Sequence, residues 1–262
     1  MPTYQTTGIN LKGIPFGETD RLVTVLTPEF GIVRAIAPGA RKQKSRLRGR
    51  TELFVINDLL IVQGKSLDRI IQAETQTTYA GLSKDLGKLI ASQYLAEVVL
   101  CIALSEQPQV ELYQLLTEHL SRLEQLAISP GEILPNLCHG IFHLLAVAGV
   151  APQVYNCCVT QAPIAPNLSS SDWQVGFSFA AGGIVNLSAS TNQPKPGMNL
   201  KLQGRELALL QQLSQPQLNV QFREDSAWVK LEQLLRNYFQ FQFGKSIRSA
   251  VLLDSLFPTP VF

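Results

Sequence analysis

The sequence predicts an α+β protein of more than one domain. A small β-barrel comes first, and an all-α domain carrying an irregular insert follows. Three observations lead there. Up to about residue 80 the chain is a series of short runs rich in Val, Ile, Leu and Thr, punctuated by Gly, Pro, Asn and Asp. From about residue 81 apolar residues recur at helical spacing in long segments. Between about 151 and 200 neither period persists, and Pro, Gly, Ser and Asn dominate. The 262 residues are 45% hydrophobic and 16% charged, which suits a globular chain with a substantial core.

The strand segments are GINLKGIPFG (8–17), DRLVTVLT (20–27), GIVRAIAPGA (31–40), LFVINDLLIVQG (53–64) and DRIIQAETQTTY (68–79). TPEFG joins the second to the third and ends in Gly31, as a tight hairpin does. Five strands in about 80 residues fit a small closed barrel, either an OB-fold or an SH3-like one. Helices are predicted over 85–104, 110–126 and 133–150, with Pro108 and Pro130 marking the breaks and Ser129-Pro130 opening the third. After the insert they resume over 204–213, 226–243 and 244–256. The predicted domains are therefore 1–80 and 81–262.

Charge is unevenly placed. The net charge is only +2, yet residues 1–80 hold eleven Lys and Arg against seven Asp and Glu, and the remainder holds eleven against thirteen. GARKQKSRLRGR (39–50) alone carries Arg41, Lys42, Lys44, Arg46, Arg48 and Arg50 and no acid. Such a segment neutralises phosphates and releases their condensed counterions. Arginine adds bidentate phosphate contacts. A charge run also serves as a solvated loop that keeps a sheet edge soluble. Further cations on the neighbouring strands and connections, Lys12, Arg21, Arg34, Lys65 and Arg69, favour the nucleic-acid reading. The candidate DNA-binding set is Lys12, Arg21, Arg34, Arg41, Lys42, Lys44, Arg46, Arg48, Arg50 and Lys65. Aromatics are few in this part (Tyr4, Phe16, Phe30, Phe54 and Tyr79), so base stacking is expected to be minor and backbone electrostatics dominant.

Several function classes find no support. No basic segment followed by an apolar one opens the chain, and no uncharged apolar run reaches the length of a bilayer span. Cys101, Cys138, Cys157 and Cys158 lack disulfide-framework spacing, which fits a reducing cytoplasm. Neither a phosphate-binding G-x-x-x-x-G-K-[ST] loop nor a G-x-S-x-G elbow occurs. Glu18 and Asp20 lie at a predicted turn, where carboxylates bind backbone amides. His139 and His143 share a helical face, but Gly140 stands where a zinc protease carries its glutamate, so a packing role is expected. No catalytic residue, cofactor or metal site is predicted.

Some segments resemble the bacterial DNA repair family RecO. The resemblance rests on Gly17-Glu18-Thr19-Asp20, Thr27 to Gly31, Gly39-Ala40-Arg41 and Lys44-Ser45-Arg46, in the family's order. It continues through AETQTTY (73–79), FHLLAVAGVAPQVYNC (142–157), FSFAAGGIV (177–185) and FGKSIRSAVLL (243–253). The resemblance implies an N-terminal OB-fold, a helical domain and no covalent chemistry. It implies a recombination mediator of the bacterial nucleoid that binds single- and double-stranded DNA and anneals complementary strands. The implied partners are RecR, the acidic C-terminal tail of single-strand binding protein and, indirectly, the recombinase RecA. The tail would fit a groove of the helical domain, where Lys201, Arg205, Lys230, Arg236, Lys245 and Arg248 lie on or near the late helices.

Family members often carry two C-x-x-C pairs that hold zinc. Here the first pair reduces to Cys157-Cys158, with Thr160 or Gln161 at its second position, and the second pair falls near Asn186 and Ala189. No structural zinc is therefore expected. The insert would be held by packing around Trp173, Phe177 and Phe179. Two other classes fit the basic loop: a protein-interaction adaptor that binds an acidic partner, and an RNA-binding OB protein, for which the 2′-hydroxyl would be the discriminating contact.

Overall fold

The computed structural model describes residues 2–127, 130–187, 197–218 and 226–258. The chain forms two compact units, residues 1–125 and 126–262.

In the first unit the five strands are β1 (Thr3–Phe16), β2 (Asp20–Thr27), β3 (Gly31–Ala37), β4 (Val55–Val62) and β5 (Asp68–Thr78). They close into a barrel in the order β1-β2-β3-β5-β4. All pairs are antiparallel except β3–β5, which is parallel. This five-stranded Greek-key closure is the OB arrangement. The alternation seen in the sequence sets the faces: Val33, Ala35 and Ala37 turn inward with Val23, Val25, Leu59, Ile61, Ile70 and Ala73, while Arg34 turns outward. A bulge between Asn10 and Lys12 switches the parity of β1, which puts Lys12 on the outer side opposite Thr24.

A short helix, α1 (Leu47–Arg50), lies in the β3–β4 connection, and a 3-10 turn (Ala80–Lys84) leads out of β5. Two long helices, α2 (Leu86–Ile102) and α3 (Val110–Gln125), belong to the same compact unit as the barrel and lie against β1 and β2. Ile9 and Leu26 are paired, point away from the barrel interior and are fully buried. The α2–α3 connection hydrogen-bonds the β2–β3 hairpin. The Ile32 amide donates to the Leu104 carbonyl at 2.9 Å, and the Gln109 amide donates to Pro28 at 2.8 Å. Gly31 sits at φ +64°, and a Cβ there would lie 2.1 Å from the Leu104 carbonyl oxygen, so both conformation and space require glycine. Chain chemistry thus changes from strand to helix near residue 80, whereas the compact unit runs on to residue 125.

The second unit contains α4 (Pro130–Val147), β6 (Gln174–Ser178), β7 (Gly183–Val185), β8 (Leu200–Gln203), α5 (Gly204–Gln212), α6 (Ala227–Phe243) and α7 (Ala250–Leu256). The stretch expected to be irregular builds two strands of a three-stranded sheet, ordered β7-β6-β8. Strands of three to five residues show too few alternations to register as a period. Phe177 of β6 is fully buried and stacks edge-on against Tyr238 of α6, with ring centroids 5.7 Å apart. Phe179 joins that aromatic group, but Trp173 is only half-buried beside a surface cleft. Of the three residues expected to hold the insert, Phe177 and half-buried Phe179 meet Tyr238, and Phe177 is the buried one. The last helix also starts later than predicted. Gly244, at φ +64°, ends α6, and helix resumes only at Ala250.

Candidate nucleic-acid interface

The basic segment is fixed to the barrel by a pair of turns. The β1–β2 turn (17–19) and the turn that leaves β3 (39–41) are joined by backbone and side-chain hydrogen bonds. The Arg41 amide donates to the Thr19 carbonyl at 2.9 Å. The Arg41 guanidinium donates to the carbonyls of Gly17 (3.3 Å) and Glu18 (3.1 Å). The Gly39 amide donates to the Asp20 carboxylate at 2.7 Å. That amide, with the Thr19 hydroxyl and the charges of Arg69 and Lys42, holds the Asp20 carboxyl below the ordinary carboxylate range. Asp20 therefore binds a backbone amide, as its place in a turn predicts, and the amide comes from the other turn.

From there the segment crosses one mouth of the barrel. Asn10 donates to the carbonyls of Arg50 (2.8 Å) and Glu52 (2.9 Å), and Asn57 donates to Arg50 at 2.8 Å. Two of the ten candidate cations are used in this closure. Arg21 donates to the Thr51 carbonyl at 3.0 Å and pairs with Glu52 at 2.9 Å. Arg50 donates to the Ala73 carbonyl. Both are half-buried. In each, one guanidinium nitrogen is held by a carbonyl of the fold.

The other eight, Lys12, Arg34, Arg41, Lys42, Lys44, Arg46, Arg48 and Lys65, are exposed. Among the described residues none of them is ion-paired with an acid. Strand register places two of them in one row: Lys12 lies opposite Thr24, which lies opposite Arg34. Ile14, Leu22 and Ile36 form the next row, which β5 extends with Arg69. Lys65 stands on the β4–β5 connection. The outer side of β1, β2 and β3, the turn pair and the segment 42–48 thus make a continuous cationic rim. Arg69 belongs to this surface as well, beyond the ten candidates. The signal that places it is the parallel β3–β5 pairing, which the sequence does not display.

The second unit answers the remaining expectations. The Cys157 sulfur is buried and accepts the amides of Asn186 (3.3 Å) and Thr160 (3.5 Å). Burial pushes this thiol up, but the hydrogen bonds outweigh it and hold it below the ordinary cysteine value. These amides come from Thr160 and Asn186, two of the positions at which the resemblance implies cysteine. The position near Ala189 lies outside the described residues. Among the described residues no group of three or more His, Cys, Asp or Glu is placed to hold a metal. The Nε2 atoms of His139 and His143 both approach the Gln215 carbonyl, at 2.8 and 3.2 Å, so the pair binds backbone. Of the cations expected near a peptide groove, Lys230 pairs with Glu206 at 2.7 Å, and Arg236 pairs with Glu232 and Asp254. Lys201, Arg205, Lys245 and Arg248 are exposed. Among the described residues no helix is long and apolar enough to cross a membrane.

Comparison with known proteins bears directly on this surface. Residues 1–79 match the family model described as "Recombination protein O N terminal", and residues 83–250 match "Recombination protein O C terminal". The chain belongs to the RecO family. A RecO protein of Gloeothece citriformis is 56% identical over 98% of this chain and 98% of its own length. Another, from Trichodesmium erythraeum, is 52% identical over 96% of this chain and 94% of its own. Both carry the name DNA repair protein RecO. The RecO N-terminal match spans the barrel and its cationic rim, and the RecO C-terminal match covers α2, α3 and most of the second unit.

Proposed function

We propose that this chain is a non-enzymatic DNA-binding mediator of DNA repair, and that its cationic rim grips the phosphate backbone. The observation that carries the proposal is the set of eight exposed Lys and Arg residues on one barrel, none of them ion-paired with an acid among the described residues. Cations paired with acids have little left to offer a phosphate, whereas these keep their full charge for it. Binding through phosphates accepts single and double strands alike and reads little sequence.

Annealing follows from the same charge. Two strands held against the rim repel one another less, and base pairing proceeds once that repulsion is screened. Family membership supports a place beside RecR and the acidic tail of single-strand binding protein, with loading of RecA as the outcome. Exposed Lys201, Arg205, Lys245 and Arg248 are the cations of the second unit suited to an acidic tail.

The test is fluorescence anisotropy of a labelled single strand across a salt series. Wild type is compared with a full-length variant carrying alanine at Arg41, Lys42, Lys44, Arg46 and Arg48. Arg50 is kept because it closes the barrel. The expected result is weaker binding, with a salt slope shallower by about 0.7 for each phosphate that the variant no longer neutralises. Identical curves for the two proteins would exclude the segment 41–48 from the DNA-binding surface.

A further inference from the structure

The cationic rim encloses an apolar patch that phosphate binding does not use. Ile14 is 42% exposed and Phe16 is 39% exposed. They are alternate residues of β1, so they share its outer face with Lys12. Register continues the apolar row across the sheet, because Ile14 lies opposite buried Leu22 and Leu22 opposite half-buried Ile36. Scattered exposed apolar side chains are ordinary, but Ile14 and Phe16 are grouped on one face of one strand. Lys12 and Arg34 border the patch in the neighbouring row. Arg69 ends the row of Ile14, Leu22 and Ile36. Arg41 is bonded to the turn that follows Phe16. The acids nearby are exposed Glu18 and half-buried Asp20, and Asp20 is held by the Gly39 amide.

We infer that Phe16 is a base-stacking platform for single-stranded DNA, with Ile14 and Ile36 as the apolar floor beside it. The inference rests on the phosphate-binding function proposed above and adds base contact to it. Charge complementarity selects the occupant. A polyanion with apolar faces satisfies both the cations and the ring, which is how proteins grip single strands without reading sequence. A duplex hides its base faces within the stack, so Phe16 contributes to single-strand binding and not to duplex binding. The expectation drawn from composition, that stacking is minor, changes because one well-placed ring beside the backbone track is enough to hold a base.

The experiment compares full-length wild type, Phe16→Ala, Phe16→Trp and the five-cation alanine variant, each checked for folding by circular dichroism. The probes are an oligothymidylate, an abasic strand of equal length and phosphate count, and a duplex. Phe16→Ala is expected to weaken oligothymidylate binding at least about fivefold, the lower end of one base–aromatic contact. Its affinity for the abasic strand and for the duplex should stay unchanged. Phe16→Trp should retain affinity, and the new indole should be quenched by the oligothymidylate and not by the abasic strand. Equal loss on abasic and base-bearing strands would make Phe16 a structural residue and overturn the inference. Unchanged oligothymidylate binding by Phe16→Ala, together with a loss in the five-cation variant, would overturn stacking and leave phosphate binding standing. If the five-cation variant binds like wild type, the segment 41–48 fails as the phosphate grip proposed above, and the platform that rests on it fails with it.

Discussion

Two sides of the same barrel carry opposite charge. On one, Lys12, Thr24 and Arg34 form a row across β1, β2 and β3. On the other, Thr7, Asp58 and Glu74 form the corresponding row across β1, β4 and β5. Asp58 accepts hydrogen bonds from Thr7 and Gln76 there, and Glu29 lines the same cleft. The barrel is thus one scaffold with two electrostatic faces, and β1 contributes to both. It switches from one to the other at its bulge. The difference gives the molecule a direction: a polyanion is drawn to one side and turned away from the other, so a small net charge conceals a strongly oriented field.

Erasing the positive side should have the largest effect. Replacing Lys12 and Arg34 by Glu should lower single-strand affinity by more than about tenfold at low salt and reduce the salt slope by about 1.4, the share of two phosphates. Titrations at several salt concentrations would show it, and an unchanged slope would mean that this row touches no phosphate. Next comes the cation that sits in the basic segment but serves the fold. Arg50→Ala should cost about 1 kcal/mol of folding stability by removing the hydrogen bond to the Ala73 carbonyl. Arg48→Ala should leave stability within about 0.5 kcal/mol. Urea denaturation of both variants checks the contrast.

Converting the negative side should work in reverse and more weakly. Asp58→Lys with Glu74→Lys should raise affinity a few-fold and steepen the salt slope, as gel-shift measurements at low and moderate salt would show. The smallest effect concerns pH. The folded-state pKa of Asp20 is lowered, so its stabilising contribution is fully present above the ordinary value of about 3.9 and is lost as pH falls through the lowered one. Asp20→Asn should therefore be less stable than wild type at neutral pH, and the two should converge in strong acid. Equal stability at pH 7 would show that the carboxylate–amide bond contributes nothing.

Much of the fold was legible because the barrel strands obey simple rules. β2 runs over the predicted 20–27, and Gly31 ends the hairpin where expected. The insert was harder. Its strands are held by tertiary contacts such as Phe177 on Tyr238, and no local period announces those. The RecO family was also legible, in Gly39-Ala40-Arg41 and the motifs around it. The cations themselves were visible, but their roles were not. Arg21 and Arg50 look like Arg46 and Arg48 in a string of letters. Only barrel closure brings carbonyls of Thr51 and Ala73 to the first two. The patch of Ile14 and Ile36 needed the cross-strand register, which depends on the bulge in β1.

The joined turns at 17–19 and 39–41 bear on how fast a strand is captured. A floppy basic tether would have to surrender its freedom each time it met a ligand, and that loss would weaken every encounter. Here the start of the segment is already anchored through Arg41 and Asp20, and its end through the Arg50 carbonyl. Capture then resembles the docking of a rigid surface, with its rate set by diffusion and long-range attraction rather than by waiting for a coil to arrange itself. A basic surface built this way loses little of its freedom when it meets a polyanion.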